Sequence, residues 1–379
     1  MTTHSNAHTG LARTTVAPSA PTGKSSSAST KPRLRVGIAT SWKHERGRFE
    51  VFDASTVLEA NLRAGLSVAV CTYRRPASLK RLLNSLKKQN RVPDELIIVD
   101  ASYDSESEKV VRAMSQVETL ASCVIYVRVE GNLRGLTRQR NLAVDVAGRE
   151  LICFLDDDVV VEPDCLTHLE TTAAEEPHVV GVGAFVTNEE TNPGARLQLL
   201  KLLGAVPSLT PGKYTRSGIS IPLRILGKSR SLVPVDRLPG CCFLCRTSVA
   251  RLTRFTEIFE GYSLGEDLEF SRRAAAFGRL VVCGEARVEH LQDPVGRPDL
   301  KQLGRMLVFN RYYVHRTTLN NRRWLDILWY GYAQTLDHLL MTTGFARDLS
   351  VRDGWRFLCG GLRGCVDILR WKGGARVVR

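Results

Sequence analysis

From Leu66 onward, short apolar runs alternate with stretches of helical periodicity. "LSVAV" (66–70) reads as a buried strand. Behind Pro76, Leu79, Leu82, Leu83 and Leu86 recur at i, i+3, i+4 and i+7, the spacing of one helix face with proline near its first turn. "ELIIVD" is a second strand ending at Asp100, and "CVIYVRV" (123–129) a third. A helix around 137–147 leads into "ELICFL" (150–155), a fourth strand that runs into Asp156-Asp157-Asp158. Strands separated by helices predict an α/β domain with a mainly parallel sheet covered on both faces. Ligands of such sheets bind at the carboxyl ends of strands. Thr72, Asp100 and Asp156–Asp158 all fall at those ends.

The flanks read differently. Residues 1–31 are rich in Ser, Thr, Ala and Pro without a large apolar cluster, which predicts a disordered tail. Residues 32–65 form an extension of unassigned role holding one possible strand, "RLRVGIAT". The alternating pattern spans 66–290. Beyond it, 291–379 turns helical, with Leu325, Leu328, Trp329, Tyr332, Leu336 and Leu339 at helical spacing. No run of about 18 uninterrupted apolar residues predicts a membrane-crossing helix, and no apolar leader core opens the chain, so a cytoplasmic protein is expected.

Charge changes this picture at the ends. The net charge is +14, yet residues 1–65 hold nine Lys/Arg against four Asp/Glu, and 291–379 hold fifteen against seven. The central region is therefore almost neutral. Basic flanks suit an anionic membrane surface or an anionic lipid-linked acceptor. Nucleic acid is not expected, because zinc-finger spacing, interleaved basic and aromatic strands and basic heptads are all missing. Of ten cysteines, three cluster in "GCCFLCR" with one C-x-x-C and no second pair, so buried thiols in a reducing compartment are expected rather than a zinc site.

Three constellations carry candidate chemistry. Two carboxylates about 4 Å apart repel by ~1 kcal/mol in water and ~4 kcal/mol at an effective dielectric of 20, so Asp156 and Asp158 would be relieved by a cation. Mg²⁺ and Mn²⁺ prefer such oxygen ligands. The alternative is a solvated turn in which one Asp caps the next helix. Glu266 and Asp267, in "GYSLGEDLEFSRRA", open a predicted helix over 266–277. They serve either its dipole or as a general base. Arg138 and Arg140, in "GLTRQRN", could offset diphosphate charge or lie on a solvated helix face.

Taken together, "VAVCTYRRP", "ELIIVDASYDSE", "RQRNLA", "FLDDD" and "GEDLEFSRRA" resemble the family 2 glycosyltransferases of GT-A fold, in that family's order and approximate spacing. The resemblance covers about 66–290. It implies an inverting, metal-dependent transfer of one sugar from a nucleoside diphosphate sugar to an acceptor hydroxyl. By position it implies Thr72 and Asp100 at the donor nucleoside and Arg140 near the base or phosphates. Asp156 and Asp158 would hold the metal and diphosphate, with His290 of "RVEHL" near them, and Asp267 would be the catalytic base. Ala101 and Ala143 depart from residues common in relatives. The Q-x-x-R-W signature of processive polymerases is absent, which favours single addition. A nucleotidyltransferase is the rival enzyme, but the loop after the first strand reads "CTYRRP" and is not glycine-rich. A non-catalytic membrane-binding protein would explain the flanks and leave the acids unexplained.

Overall fold

In the computed structural model, residues 33–39, 62–117, 120–189, 192–223, 231–319 and 323–371 are described. The expectation of disorder at 1–31 lies outside them. The possible strand in "RLRVGIAT" is β1 (Arg33–Ala39). The alternating region then runs β2 (Arg63–Thr72), α1 (Pro76–Leu86), β3 (Glu95–Asp100), α2 (Glu106–Val117), β4 (Cys123–Val129), α3 (Leu136–Val146) and β5 (Arg149–Asp156). A short β6 (Val159–Val161) and α4 (Cys165–Glu175) lead to β7 (Val179–Val186) and α5 (Gly194–Leu202). Next come β8 (Leu232–Pro234), β9 (Cys242–Arg246), α6 (Thr247–Thr253), α7 (Glu266–Ala274) and β10 (Arg279–His290). Three helices follow, α8 (Leu300–Thr318), α9 (Trp324–Asp348) and α10 (Val351–Arg370). None of the described helices is long and apolar enough to cross a membrane.

The strands form one sheet in the order β1-β4-β3-β2-β5-β9-β7-β10-β6, with β8 also paired to β10. From β1 to β5 every pairing is parallel. There the expectation of a parallel sheet holds. β9 enters antiparallel between β5 and β7, and β6 runs antiparallel to β10, so the far half is mixed. The period-2 alternation of β2 explains why both faces need helices. Leu66, Val68 and Val70 pack with Leu79, Leu82 and Leu83 of α1 on one face. Ala69 packs with Leu142 and Ala143 of α3 on the other. A cluster of Phe154, Phe243, Phe255 and Phe270 fills that second layer, with Phe255 and Phe270 stacked at 4.4 Å between ring centroids.

Two local devices position the site. β5 ends in a tight turn at Asp157-Asp158, and β6 then pairs with the last residues of β10, with His290 opposite Val159. This register brings the end of β10 beside the acidic turn. Gly265 starts α7 at φ +88°, a left-handed conformation that glycine adopts without strain, and turns Glu266 and Asp267 into the fold. The "GCCFLCR" thiols of Cys241, Cys242 and Cys245 are buried and free, as expected. Cys165, Cys359 and Cys365 sit on helices, and Cys365 is exposed.

Candidate active site

The acidic turn is not solvated. Asp157 and Asp158 are each 3% exposed. One ligand atom from each of Asp156, Asp158 and His290 lies within 4.8 Å of the others. His290 Nε2 is 3.2 Å from Asp158 Oδ1, a buried oxygen that makes no well-directed hydrogen bond. Asp158 Oδ2 accepts from the Asp293 amide at 2.8 Å. Asp157 turns the other way, accepting from Thr72 Oγ1 at 2.7 Å and Arg75 Nη1 at 3.0 Å. Two carboxylates and an imidazole converging on one point, with an unsatisfied buried oxygen among them, fit a divalent cation.

Titration follows from these contacts. Burial pushes Asp157 up to about 7, against the opposing pull of Arg75 and Thr72. Burial likewise raises Asp156, with Arg140 opposing. Burial is the largest influence on Asp158 and would raise it, but His290, the Asp293 amide and Arg75 together outweigh it and hold the carboxyl below its ordinary value. Desolvation works against a charged His290, yet Asp158 and Asp156 raise its pKa on balance.

Arg140 is among the largest fully buried side chains of the described residues. It donates to Asp156 Oδ1 at 2.9 Å, to Glu266 Oε1 at 3.0 Å and to the Gly240 carbonyl at 2.8 Å. It therefore braces the metal-site acid against α7 and lines neither cavity described below. Burial and the neighbouring Asp267 drive the Glu266 pKa up, with Arg140 opposing. Asp267 is 4% exposed and is gripped by Arg237, Nε at 2.8 Å and Nη2 at 2.6 Å. Asp100 lies behind the wall. Its oxygens accept from the Ser102 amide at 2.8 Å and the Tyr126 hydroxyl at 2.5 Å. Its neighbour Ala101, not Asp100, lines the cavity.

Two cavities meet at this centre. The smaller, about 380 Å³, lies over the ends of β2 and β3 and is walled by Thr72, Tyr103, Arg134 and the Val295–Arg297 segment. The larger, about 450 Å³, is walled by Arg237, Glu266, Asp267 and residues 220–223. Leu136, Asp156, Tyr262 and His290 belong to both walls. The Arg134 guanidinium stacks 3.7 Å from the Tyr103 ring centroid, a flat and exposed platform at the mouth of the smaller cavity. Arg75 ties the covering segment down by donating to the carbonyls of Asp293 and Val295. Arg75, Arg134, Tyr103 and Arg237 were not singled out by the sequence. Arg75 could have been, since it stands in the loop directly after the first strand of the β/α pattern.

Residues 67–251 match the profile described as "Glycosyl transferase family 2". That stretch, just under half of the chain, is what it shares with the family. A glucosyl-dolichyl phosphate glucuronosyltransferase of Haloferax volcanii is 29% identical over 123 residues, 32% of this chain and 38% of the relative. The chain thus spans well under half the length of that relative. The succinoglycan biosynthesis protein ExoM of Rhizobium meliloti is 28% identical over 248 residues, 63% of this chain and 71% of the relative. Among solved structures, a mannosyltransferase from Pyrobaculum calidifontis, determined with GDP-Man and Mn²⁺, superposes with a TM-score of 0.51. It is 14% identical, covering 83% of this chain and 93% of its own. The chain therefore has the GT-A fold, with three helices following the sheet.

Proposed function

We propose that this glycosyltransferase moves one sugar, with inversion, from a nucleoside diphosphate sugar to an acceptor hydroxyl, with a divalent cation bound by Asp156, Asp158 and His290. The observation that carries the reading is the meeting of two cavities at Asp156 and His290, one bounded by the aromatic platform and the other by Asp267. The mixed oxygen and nitrogen donor set suits Mn²⁺ better than Mg²⁺, which demands hard oxygen ligands. The mannosyltransferase neighbour was solved with Mn²⁺ and GDP-Man, which supports the same assignment.

On this reading the nucleoside occupies the smaller cavity, against Tyr103 and Arg134, with Thr72 and Asp157 shaping its floor. The donor sugar projects past Tyr262 into the larger cavity. Asp267 takes the acceptor hydroxyl proton as that oxygen attacks the anomeric carbon. The bond from that carbon to the diphosphate oxygen breaks, and the electron pair leaves with the nucleoside diphosphate. A bound cation would supply electrostatic stabilisation of that leaving group. Arg237 orients the Asp267 carboxylate, and Arg140 opposes the burial-driven rise in the pKa of Asp156 and Glu266. The acceptor is read as a glycan or lipid-linked saccharide, in keeping with the relatives named for succinoglycan biosynthesis and for a glucosyl-dolichyl phosphate substrate.

Asp267→Asn tests the assignment, because it keeps shape while losing the proton acceptor. Donor affinity should stay near normal while turnover falls roughly 10²–10⁴-fold. Turnover within a few-fold of the parent would move the base elsewhere, with Glu266 next in line.

A further inference from the structure

Helix α9 is built inside out. Two of its three acids point inward: Asp326 is 3% exposed and pairs with Arg216 at 2.6 Å, while Asp337 is fully buried between Arg311 and Arg196. Its outward face, at the 3.6-residue repeat, carries Leu325, Leu328, Tyr332 and Leu339, with Thr335 and Thr343 between and beyond them. No charged residue is exposed on α9 from Trp324 to Ala346. Leu328 is 62% exposed and Trp324 68%. Beside this face, the end of α5 exposes Leu202 at 81%, and Trp329 and Tyr332 reach across to donate to the carbonyls of Gly204 and Leu203.

α10 continues the same face. It runs back along α9 and packs its glycine side on α8, where a Cβ at Gly304 would meet Phe357 and one at Gly360 would meet Lys301. The side away from α8 exposes Val351, Trp355, Leu362, Val366 and Leu369. Just over a quarter of a turn further round stands a row of exposed arginines, Arg352, Arg356, Arg363 and Arg370. Among the described residues only Arg356 of these has acidic partners, Asp299 at 3.6 Å and Asp353 at 3.9 Å. Both helices rest on α8, α9 through Asp337 with Arg311 and α10 through its glycines, and the two apolar stripes lie on the sides turned away from it, edged by the arginine row.

We propose that this face, formed by α9, α10 and the tip of α5, lies on the surface of a lipid bilayer containing anionic headgroups. Exposed Trp and Tyr beside Leu and Val suit the interfacial zone, and an arginine row in which three of four lack an acidic partner among the described residues suits anionic phosphates at its border. Charge complementarity selects this occupant over a second copy, because residues 291–379 carry fifteen Lys/Arg against seven Asp/Glu and would repel their own kind. The proposal does not depend on the transferase chemistry, but it deepens it. Ile219 and Ile221 pack with Ala333 on the reverse side of α9, and Ile221 also walls the larger cavity. An acceptor hydroxyl carried by a membrane lipid would thus be presented close to the Asp267 side of the site.

Vesicle flotation of the full chain decides it, using phosphatidylcholine vesicles with and without phosphatidylglycerol. The protein should float with the anionic vesicles. Arg352→Gln/Arg363→Gln should weaken that binding about 30-fold. Leu328→Glu/Leu339→Glu should weaken it by roughly 100-fold or more, with an unchanged melting temperature, since both positions are exposed. The proposal is overturned if the parent floats with neither vesicle, or if the Leu variant floats as well as the parent. It is equally overturned if analytical centrifugation finds a dimer that the Leu variant alone dissociates, which would assign the face to a second copy.

Discussion

Replacing Arg140 by Met should damage both the fold and the metal site, and the two effects can be separated. Arg140 is 2% exposed and is the counter-charge shared by Asp156 at 2.9 Å and Glu266 at 3.0 Å. Methionine fills comparable space but leaves both acids without their cation. Breaking a buried ion pair by removing one partner costs roughly 3–5 kcal/mol. At ~2–4 °C per kcal/mol, the melting temperature should fall by at least about 6 °C. Part of that cost is the orphaned Glu266, so Arg140→Met/Glu266→Gln should be more stable than Arg140→Met alone. The pH dependence has a definite sign. Burial already raises the Asp156 pKa, and Arg140 is the largest influence opposing it. Without Arg140 that pKa rises further, so Mn²⁺ affinity should drop at neutral pH and recover as pH increases, because the ligand must be deprotonated. Differential scanning fluorimetry and Mn²⁺ titration across pH read both effects. A variant within about 1 °C of the parent, with parental Mn²⁺ affinity at neutral pH, would refute the bracing role.

Asp337→Asn should cost roughly 3 kcal/mol in urea unfolding by leaving Arg311 and Arg196 opposite a neutral side chain. Burial opposes ionisation of Asp337, but the two arginines hold its pKa below the ordinary value, so its contribution is present above about pH 4 and the gap between variant and parent should close below it. Arg75→Ala removes the side chain that joins Asp157 and Asp158 to the segment at 293–295, and should sharply speed proteolysis there while weakening donor binding.

Regular structure was legible wherever one periodicity persisted. The second and third strands of the pattern appear with the expected limits, 95–100 and 123–129, because continuous apolar runs flanked by helical spacing permit little else. The antiparallel insertion of β9 was not legible, since "CFLCR" reads the same in either direction of a buried sheet. The acids of the candidate metal site stood out because adjacent carboxylates at a strand end are costly. Their partners did not. Arg237 meets Asp267 across 30 residues, and Arg140 meets Glu266 across 126, separations at which no local pattern exists. Asp326 and Asp337 interrupt the apolar sequence of α9. They are its inward anchors, paired with Arg216, Arg196 and Arg311, which the chain supplies from far outside that helix.

The central claim is that Asp156, Asp158 and His290 together bind a cation that in turn holds a nucleoside diphosphate. Its most direct test is the thermal shift of the parent and of Asp158→Asn against a panel of nucleoside diphosphates, each with and without Mn²⁺. The parent should be stabilised by at least one nucleotide only when Mn²⁺ is present, by about 2.7 kcal/mol at a ligand concentration a hundred times the dissociation constant. Asp158→Asn should lose that cation-dependent increment. Stabilisation of the parent that is the same without Mn²⁺, or that survives in Asp158→Asn, would contradict the account.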